Sequence, residues 1–185
     1  LFISDIKSAG INLQTYPTID EYRASEVVIE NLKVSSDMIL GEIDKSYDVI
    51  EEVIDLATIA ACSEAVGILQ VLKDTTTDYC KQRKQFGQPI GKNQAIQHRL
   101  VDMMIEYEQS KSILYAAVTA DLNNPNERRK VVSGAKARIG QAIKFVGENA
   151  IQLHGGMGMV DEYMISHYFK RGTMLGILFG NVDFH

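Results

Sequence analysis

The sequence has 185 residues, of which 45% are hydrophobic and 23% are charged, proportions typical of one globular domain or of one domain with a fragment of another. The formal net charge of -5 excludes a global basic field of the kind that holds nucleic acid or an anionic membrane surface. No apolar run approaches the roughly 18 residues of a membrane span, so we expect neither nucleic acid nor a membrane as a partner.

Residues 1–43 are predicted to be extended and to form the C-terminal part of a truncated β domain. The apolar stretch LFISDI begins like the inside of a strand, and SAGIN and YPTID supply turns. SEVVIENLKV alternates as a strand with a kink at Glu30 and Asn31. Because the chain starts with neither an initiator Met nor the layout of a signal peptide, we expect that an N-terminal portion is absent.

From residue 44 onward the hydrophobic period changes to that of helices, which defines a second predicted domain, residues 44–185. The predicted helices cover residues 46–82, 93–122, 125–151 and 161–171, with a fragment of a further helix at the end. The fold class is therefore predicted to be mainly α, an antiparallel bundle of the four-helix type preceded by a few β-strands.

The second and third predicted helices carry more detailed expectations. Asn93 is a candidate N-cap of the second helix. The inward side of that helix is expected to carry Ile96, Leu100, Met103, Met104 and Tyr107. Before the third helix, Asn124 can cap, Pro125 suits the first helical position, and Glu127 completes an N-x-x-E capping box.

Cys62 and Cys80 are the only cysteines, and the spacing of Cys and His matches no zinc site. If both cysteines lie on the first predicted helix, their separation of 18 residues corresponds to about 27 Å. A disulfide requires Cα atoms within roughly 7 Å of each other. We therefore predict free thiols, no bound metal and a reducing, cytoplasmic location.

The stretch QLHGGMGM, residues 152–159 and hereafter the glycine segment, places three glycines within four positions at the end of a predicted helix. A dinucleotide fingerprint of the Rossmann type is excluded, because that motif follows a strand and carries a third glycine that is missing here. A helix C-cap accounts for Gly155 and leaves the other glycines unexplained. Glycines beside Gln152 and His154 also suit the close approach of a flat or anionic ligand to the backbone, so both interpretations stay open.

The stretch RKQFGQPI, residues 83–90 and hereafter the arginine segment, follows the first predicted helix. Its basic residues could complement the dipole at the end of that helix, with Gly87 as the terminator, and this interpretation suffices for Lys84. Arg83 can bind a phosphate through two hydrogen bonds, and Phe86 offers a planar face. That pair of residues suits a flavin or an adenine dinucleotide.

Together the arginine segment and QLHGGMGMVDEYMISHYFKR, residues 152–171, resemble the signature sequences of the acyl-CoA dehydrogenase family. YRASEVVIENLKVSSDMILGE, residues 22–42, is similar to the end of that family's middle β domain. The resemblance covers essentially the whole chain. It implies a β domain followed by a four-helix bundle, bound FAD, and the absence here of the family's N-terminal helical domain. It also implies α,β-desaturation of an acyl-CoA substrate with hydride transfer to flavin, and an electron-accepting flavoprotein as a partner.

The resemblance also assigns cofactor-binding residues. Arg83 and Phe86 would contact the FAD of a neighbouring subunit, with Gln85 beside them. Further cofactor contacts would come from Asn93, Gln94, Gln152, Leu153, Gly155 and Gly156, the last four near the adenosine diphosphate part. Because such contacts cross a subunit interface in the family, a homo- or hetero-oligomer is expected, arranged as a dimer of dimers.

The reaction of the family requires a carboxylate that takes the α-proton, and family members place this glutamate at one of two points. Counted from Arg171 and back from Arg83, those points match Gly180 and Ala57, neither of which can accept a proton. Asp183 is the best local candidate for a catalytic residue, because it would share a face of a short helix with Gly180.

Three functions remain open on the sequence alone. The chain could belong to an active acyl-CoA dehydrogenase, or to a catalytically silent subunit whose partner supplies the base. It could also be a helical oligomerisation module with no activity, although the arginine and glycine segments both disfavour this. The carboxylates that precede Ala57, namely Glu51, Glu52 and Asp55, are predicted to be solvated helix surface.

Overall fold

The computed structural model describes residues 1–185, which divide into two compact units, Leu1–Val53 and Ile54–His185. In the first unit, strand β1, Ile11–Pro17, pairs antiparallel with strand β2, Arg23–Ile29. Ile11 lies opposite Ile29, and the connecting residues 18–22 only overlap the predicted turn YPTID, residues 16–20, whose first two residues belong to β1. A few β-strands therefore precede the helices, as predicted.

Three details of the N-terminal prediction are wrong. LFISDI forms only an isolated bridge between Phe2 and Ile39, because no partner strand runs along its length. SAGIN is not wholly a turn, since β1 already begins at Ile11. Strand β2 ends at Ile29 instead of continuing through a kink, because Asn31 adopts a left-handed φ of 54° that interrupts strand pairing.

Four helices follow and confirm the predicted fold class. They are α1, Tyr47–Gln82, α2, Gln94–Thr119, α3, Pro125–His154, and α4, Met164–Ile177. Short 3-10 turns occupy Ser36–Met38, Ile90–Lys92 and Gly155–Met159. No helix combines the length and the apolar character that crossing a bilayer requires.

The end of the chain differs from the prediction. Helix α4 extends to Ile177, beyond the predicted end at residue 171. The predicted helical fragment after it is wrong, because residues 178–185 fold into turns. Phe179 and Gly180 have φ values of 61° and 108°, which no right-handed helix accommodates.

Hydrogen bonds between side chains link the helices of the second unit and establish that α2 and α3 are antiparallel. Early residues of α2 meet late residues of α3, and the middle of α4 meets the middle of α1. The pairs are Arg99–Asn149 and Arg138–Glu106 between α2 and α3, and Arg171–Glu64 between α4 and α1. The arrangement is the predicted antiparallel bundle.

The core of the second unit consists mainly of aliphatic side chains between the helices. The largest fully buried apolar ones are Leu69, Leu72, Met103, Ile139, Val146 and Ile165. Four of the predicted inward residues of α2 are buried or half-buried: Ile96, Leu100, Met103 and Tyr107. The prediction for Met104 is wrong, since this side chain is 54% exposed. Neighbouring positions point about 100° apart on a helix, and Met103 occupies the inward direction.

The predicted cap of α2 is only partly present. Asn93 occupies the N-cap position, but its side chain makes no capping hydrogen bond, so that expectation is wrong. Its main-chain oxygen instead accepts the first helical bond, from the N–H of Gln97 at 3.1 Å. The Asn93 amide is therefore available for other contacts.

The predicted cap of α3 is confirmed. Asn124 Oδ1 accepts from the N–H groups of Asn126 and Glu127 at 3.1 and 3.4 Å, and Pro125 is the first helical residue. The capping box is wrong in one respect, because Glu127 Oε1 accepts from the N–H of Asp121 rather than from that of Asn124. The N–H of Asn124 already donates to Asp121 O at 3.2 Å.

Candidate functional site

The arginine segment forms a tight β-hairpin directly after α1. Strand β3, Lys84–Gln85, pairs antiparallel with strand β4, Gln88–Pro89. Phe86 and Gly87 fill the two-residue turn with φ values of 53° and 81°, the left-handed pair typical of a type I′ turn. Such a φ is strained for a bulky residue, and the Phe86 side chain is 100% exposed. The Phe86 ring therefore contributes no packing within the chain and presents both faces to the surroundings.

The other residues of this region that were assigned to the cofactor are exposed as well. They are Arg83, Gln85, Asn93 and Gln94, and their side chains make no hydrogen bond or ion pair within the chain. The backbone of Arg83 is nevertheless fixed at both ends. Its N–H donates to Tyr79 O at 2.8 Å, and its carbonyl accepts from the N–H of Ile90 at 2.9 Å. The main chain of Arg83 is therefore ordered by two hydrogen bonds, and all five N–H donors of its guanidinium are available to a ligand.

The glycine segment ends α3 and continues into the 3-10 turn. Gly155 has a φ of 60° and a ψ of −139°, which L side chains rarely adopt, so it is the predicted C-cap. Gly158 is buried, and a Cβ there would lie 3.0 Å from Ile151 O, so close packing requires glycine. A Cβ on Gly155 or Gly156 would meet no atom within 4 Å. The main chain of this pair is therefore open to an approaching ligand.

The two residues assigned before these glycines differ in exposure. Gln152 is exposed, and its amide is available to a ligand. Leu153 is half-buried and packs against the hydrophobic core. Leu153 can therefore contribute its main chain to a ligand site, while its side chain anchors the end of α3.

The structure brings the arginine and glycine segments together through residues that sequence reasoning did not connect. The rings of Tyr79 and His154 have centroids 4.2 Å apart, and the ring of Tyr163 lies 5.3 Å from that of His154. Tyr79 precedes Arg83 by one helical turn, and its main-chain oxygen accepts the hydrogen bond from the N–H of Arg83. His154 directly precedes Gly155. The Tyr79–His154–Tyr163 cluster therefore links the residue one turn before the arginine segment to a residue within the glycine segment.

The imidazole of His154 is 3% exposed and has an unsatisfied nitrogen. Its Nδ1–H donates to Ala150 O at 2.8 Å, because a carbonyl can only accept. Nε2 is then a bare acceptor, and no donor reaches it. Burial lowers the pKa of His154 below its ordinary value of 6.5, against a smaller opposing effect of the Ala150 carbonyl. The ring is therefore neutral at neutral pH.

A buried lysine holds the turn in which the catalytic base is expected. Lys136 of α3 is 2% exposed, and its Nζ donates to Gly176 O at 3.0 Å and to Gly180 O at 2.6 Å. Gly176 belongs to the last turn of α4, where carbonyls lack helical partners, so the ammonium caps this helix. Burial lowers the pKa of Lys136, while the nearby Cys62 acts in the opposite direction.

The two positions expected for the base offer no carboxylate, and one of them is crowded by side chains near the end of the chain. A Cβ on Gly180 would lie 2.5 Å from Phe184 Cδ1 and 2.9 Å from His185 Nε2. The φ of 108° at Gly180 disfavours any L side chain as well. Ala57 is half-buried on α1 and carries only a methyl group.

Asp183 is exposed and lies in a turn. The predicted short helix that would align it with Gly180 is wrong, because the φ of Gly180 is not helical. Its carboxylate makes no hydrogen bond within the chain, and the residue lines a groove of about 330 Å³ beside α3 and α4. The groove also contains the apolar side chains of Ile143, Phe169 and Val182.

Asp55 is not the solvated surface residue that was predicted. Its Oδ2 accepts from Arg128 Nε at 2.9 Å, and the two side chains are 15% and 5% exposed. Sequence reasoning also missed the buried cations Arg128 and Lys136. A signal existed, since both lie on the face of α3 that carries Val132 and Ile139. A cation in an apolar stripe indicates a buried partner.

Cys62 and Cys80 are buried and unpaired, as predicted. Burial raises the pKa of the Cys62 thiol to about 11, partly offset by Lys136, and raises the pKa of Cys80 as well. No three His, Cys, Asp or Glu side chains lie close enough together to hold a metal ion.

Known proteins share both the sequence pattern and the fold. The family described as "Acyl-CoA dehydrogenase, C-terminal domain" matches residues 47–185. The mitochondrial isovaleryl-CoA dehydrogenase of Oryza sativa subsp. japonica is 35% identical over 152 residues, covering 82% of this chain and 37% of that protein. The caffeyl-CoA reductase-Etf complex subunit CarC of Acetobacterium woodii is 28% identical over 176 residues, covering 91% of this chain and 45% of that protein.

Among solved structures, the glutaryl-coenzyme A dehydrogenase glutaryl-CoA complex superimposes with a TM-score of 0.89 at 25% identity. The match covers 99% of this chain and 47% of that one. The chain thus spans less than half the length of the curated relatives it matches.

Proposed function

Because this chain belongs to the acyl-CoA dehydrogenase family, we propose that it is part of an FAD-dependent oxidoreductase that desaturates an acyl-CoA thioester between its α and β carbons. Members of the family bind FAD. The observation that carries the proposal is the exposure of unpaired dinucleotide-suited residues on two segments that are linked through the contact of Tyr79 with His154.

The residues present fit the two chemically different parts of FAD. The pyrophosphate is an anion, and the guanidinium of Arg83 can donate two parallel hydrogen bonds to it. The open main chain at Gly155 and Gly156 permits close approach of the same group. The flat ring systems suit the exposed face of Phe86. When bound, FAD supplies the acceptor for a hydride.

We propose that these residues bind the FAD of a neighbouring subunit, within a dimer of dimers of like or unlike chains. Phe86 is wholly exposed and Arg83 has no partner in its own chain, so both side chains are available to a second subunit. Arginine and aromatic residues are also the side chains that most often dominate binding at protein interfaces. Assembly and cofactor binding would then be coupled.

The proposed reaction requires a base for the α-proton, and we propose that a partner subunit supplies it. Gly180, whose φ of 108° disfavours any L side chain, and the methyl group of Ala57 support this assignment. Asp183 is the alternative within the chain, favoured by its free carboxylate at the edge of the groove. Its side chain is one methylene shorter than that of the glutamate it would replace, and it does not share a helix face with Gly180.

An acyl-CoA thioester as substrate is supported by the relatives that are described as isovaleryl-CoA and glutaryl-CoA dehydrogenases. An electron-accepting flavoprotein as partner is supported by the relative that is a subunit of a caffeyl-CoA reductase-Etf complex. The proposed substrate class is therefore acyl-CoA in general, with electrons passed on to a second flavoprotein.

Retention of FAD by the full-length protein tests the cofactor site. Arg83→Ala should weaken FAD binding about 10- to 150-fold, the equivalent of losing a charge-assisted pair worth about 1.5–3 kcal/mol. Lys84→Ala is the matched control, because it removes the adjacent exposed charge and should leave FAD binding unchanged. Flavin fluorescence after dialysis measures both. Equal affinity of the Arg83 variant and the wild type, or equal losses in the two variants, would refute the assigned role.

A further inference from the structure

The Tyr79–His154–Tyr163 cluster joins three elements around the buried imidazole of His154. Tyr79 lies in the last turn of α1, His154 is the last residue of α3, and Tyr163 is the N-cap residue of α4. Helix α1 continues directly into the arginine segment, and α3 continues into the glycine segment. A displacement of the imidazole would therefore move both segments relative to each other.

We propose that His154 is a positioning residue for the flavin site, which holds the arginine and glycine segments in place only while its imidazole is uncharged. This inference rests on the proposed function, since its consequence is the retention of FAD. His154 acts through the ring of Tyr79 and through its own main-chain oxygen, which lies 3.5 Å from Tyr79 Oη.

The hydrogen bonding of the ring selects the neutral form. Nδ1–H is satisfied by Ala150 O, while Nε2 has no partner. Protonation would add an N–H donor and a positive charge at Nε2, where no acceptor is present. A buried donor without an acceptor and a buried charge without a counter-charge both destabilise the closed arrangement.

The groups around the imidazole do not compensate for a charge. From α1, the Tyr79 ring lies against the imidazole at an interplanar angle of 31°. At the start of α4, Tyr163 presents its ring at 51°. From α3 only the Ala150 carbonyl contributes. The Tyr79 face attracts a cation weakly, but it is a poor replacement for a hydrogen-bond acceptor.

The direction of the pH dependence follows from these contacts. The folded pKa of His154 lies below the ordinary 6.5, so an opened cluster binds a proton at higher pH than the closed one. The stabilisation by the neutral ring is complete above the unfolded value of 6.5 and is lost as the pH falls through the folded pKa. FAD should therefore dissociate in mild acid.

The decisive experiment measures FAD retention against pH in the full-length wild type, in His154→Phe and in His98→Phe. The wild type should retain FAD above pH ~6.5 and release it progressively below that value. His154→Phe keeps an aromatic ring against Tyr79 but cannot be protonated, so it should lack this acid step. His98 is an exposed histidine of α2, and its variant should keep the wild-type profile. An acid step that persists unchanged in His154→Phe would overturn the proposal.

Hydrogen exchange of the unmodified full-length protein decides the question even if the variant does not fold. Between pH ~7.5 and ~5.5, exchange corrected for intrinsic rates should rise together in the arginine and glycine segments, while the amides around Met103 in α2 stay protected. No rise, or a rise in only one segment, would overturn the proposal. Absence of FAD from the wild type at every pH would refute the proposed function instead, and the exchange data would still test His154.

Discussion

Lys136 Nζ lies 2.6 Å from the main-chain oxygen of Gly180, so a buried ammonium fixes the turn in which the catalytic base is expected. The same ammonium donates to Gly176 O at 3.0 Å and closes the end of α4. Lysine is almost never fully buried without a partner, and here two carbonyls serve in place of a carboxylate. The backbone of this turn is therefore set by α3.

Replacement of Lys136 tests this arrangement. Lys136→Met leaves two carbonyls without a donor and should lower the free energy of unfolding by about 2–4 kcal/mol. Urea unfolding monitored by circular dichroism measures the change. Lys130→Met, an exposed position on the same helix, is the control and should change stability by less than about 0.5 kcal/mol. A Lys136 variant as stable as the control would show that the two carbonyls do not need the ammonium.

Asp55 is predicted to act in folding rather than in catalysis. Asp55→Ala leaves the buried guanidinium of Arg128 without its counter-charge and should destabilise the protein by about 3–5 kcal/mol. Glu52→Ala, an exposed carboxylate of the same helix, should have little effect. Thermal unfolding of the two variants provides the comparison, and similar midpoints for both would contradict the structural role.

Both cysteines should resist alkylation in the folded protein. Cys62 and Cys80 are at most 1% exposed, and burial raises the thiol pKa, to about 11 for Cys62. The thiolate is the reactive form, so iodoacetamide at pH ~8 should label neither residue until denaturant is added. Intact-mass spectrometry counts the labels. Labelling of either thiol within minutes under native conditions would contradict the packing around α1.

The helices could be predicted because their sequences carry both a period and clear ends. Pro125 begins α3 and Gly155 ends it, as the capping preferences of these residue types indicate. The exposure of Met104 could not be predicted, because it depends on which arc of α2 faces its neighbours. The end of α4 could not be predicted, because Lys136 caps it from another helix. The left-handed φ of Phe86 could not be predicted from the sequence, because bulky residues rarely adopt such a φ.

The residues of the candidate site could be identified from their types, but the contact that brings its two segments together could not be predicted. Arg83, Phe86 and the glycines are unusual at the ends of helices, which made both segments recognisable. Tyr79 and His154 are 75 residues apart in the sequence and meet only through tertiary packing, so no local sequence pattern predicts their contact. The apolar face of α3 indicates that Lys136 is buried, but its carbonyl partners could not be predicted, because they become neighbours only after folding.

The most direct test of the proposed activity adds acyl-CoA thioesters anaerobically to the FAD-loaded full-length protein and follows bleaching of the flavin absorbance. The protein is measured alone and after co-expression with a homologous subunit that carries a glutamate base, with Asp183→Asn and the exposed Glu148→Gln as a matched pair. We expect rapid bleaching only with the partner subunit and no effect of either substitution. Rapid bleaching by the homo-oligomer, abolished by Asp183→Asn and not by Glu148→Gln, would contradict partner dependence, and no bleaching under any condition would contradict the activity itself.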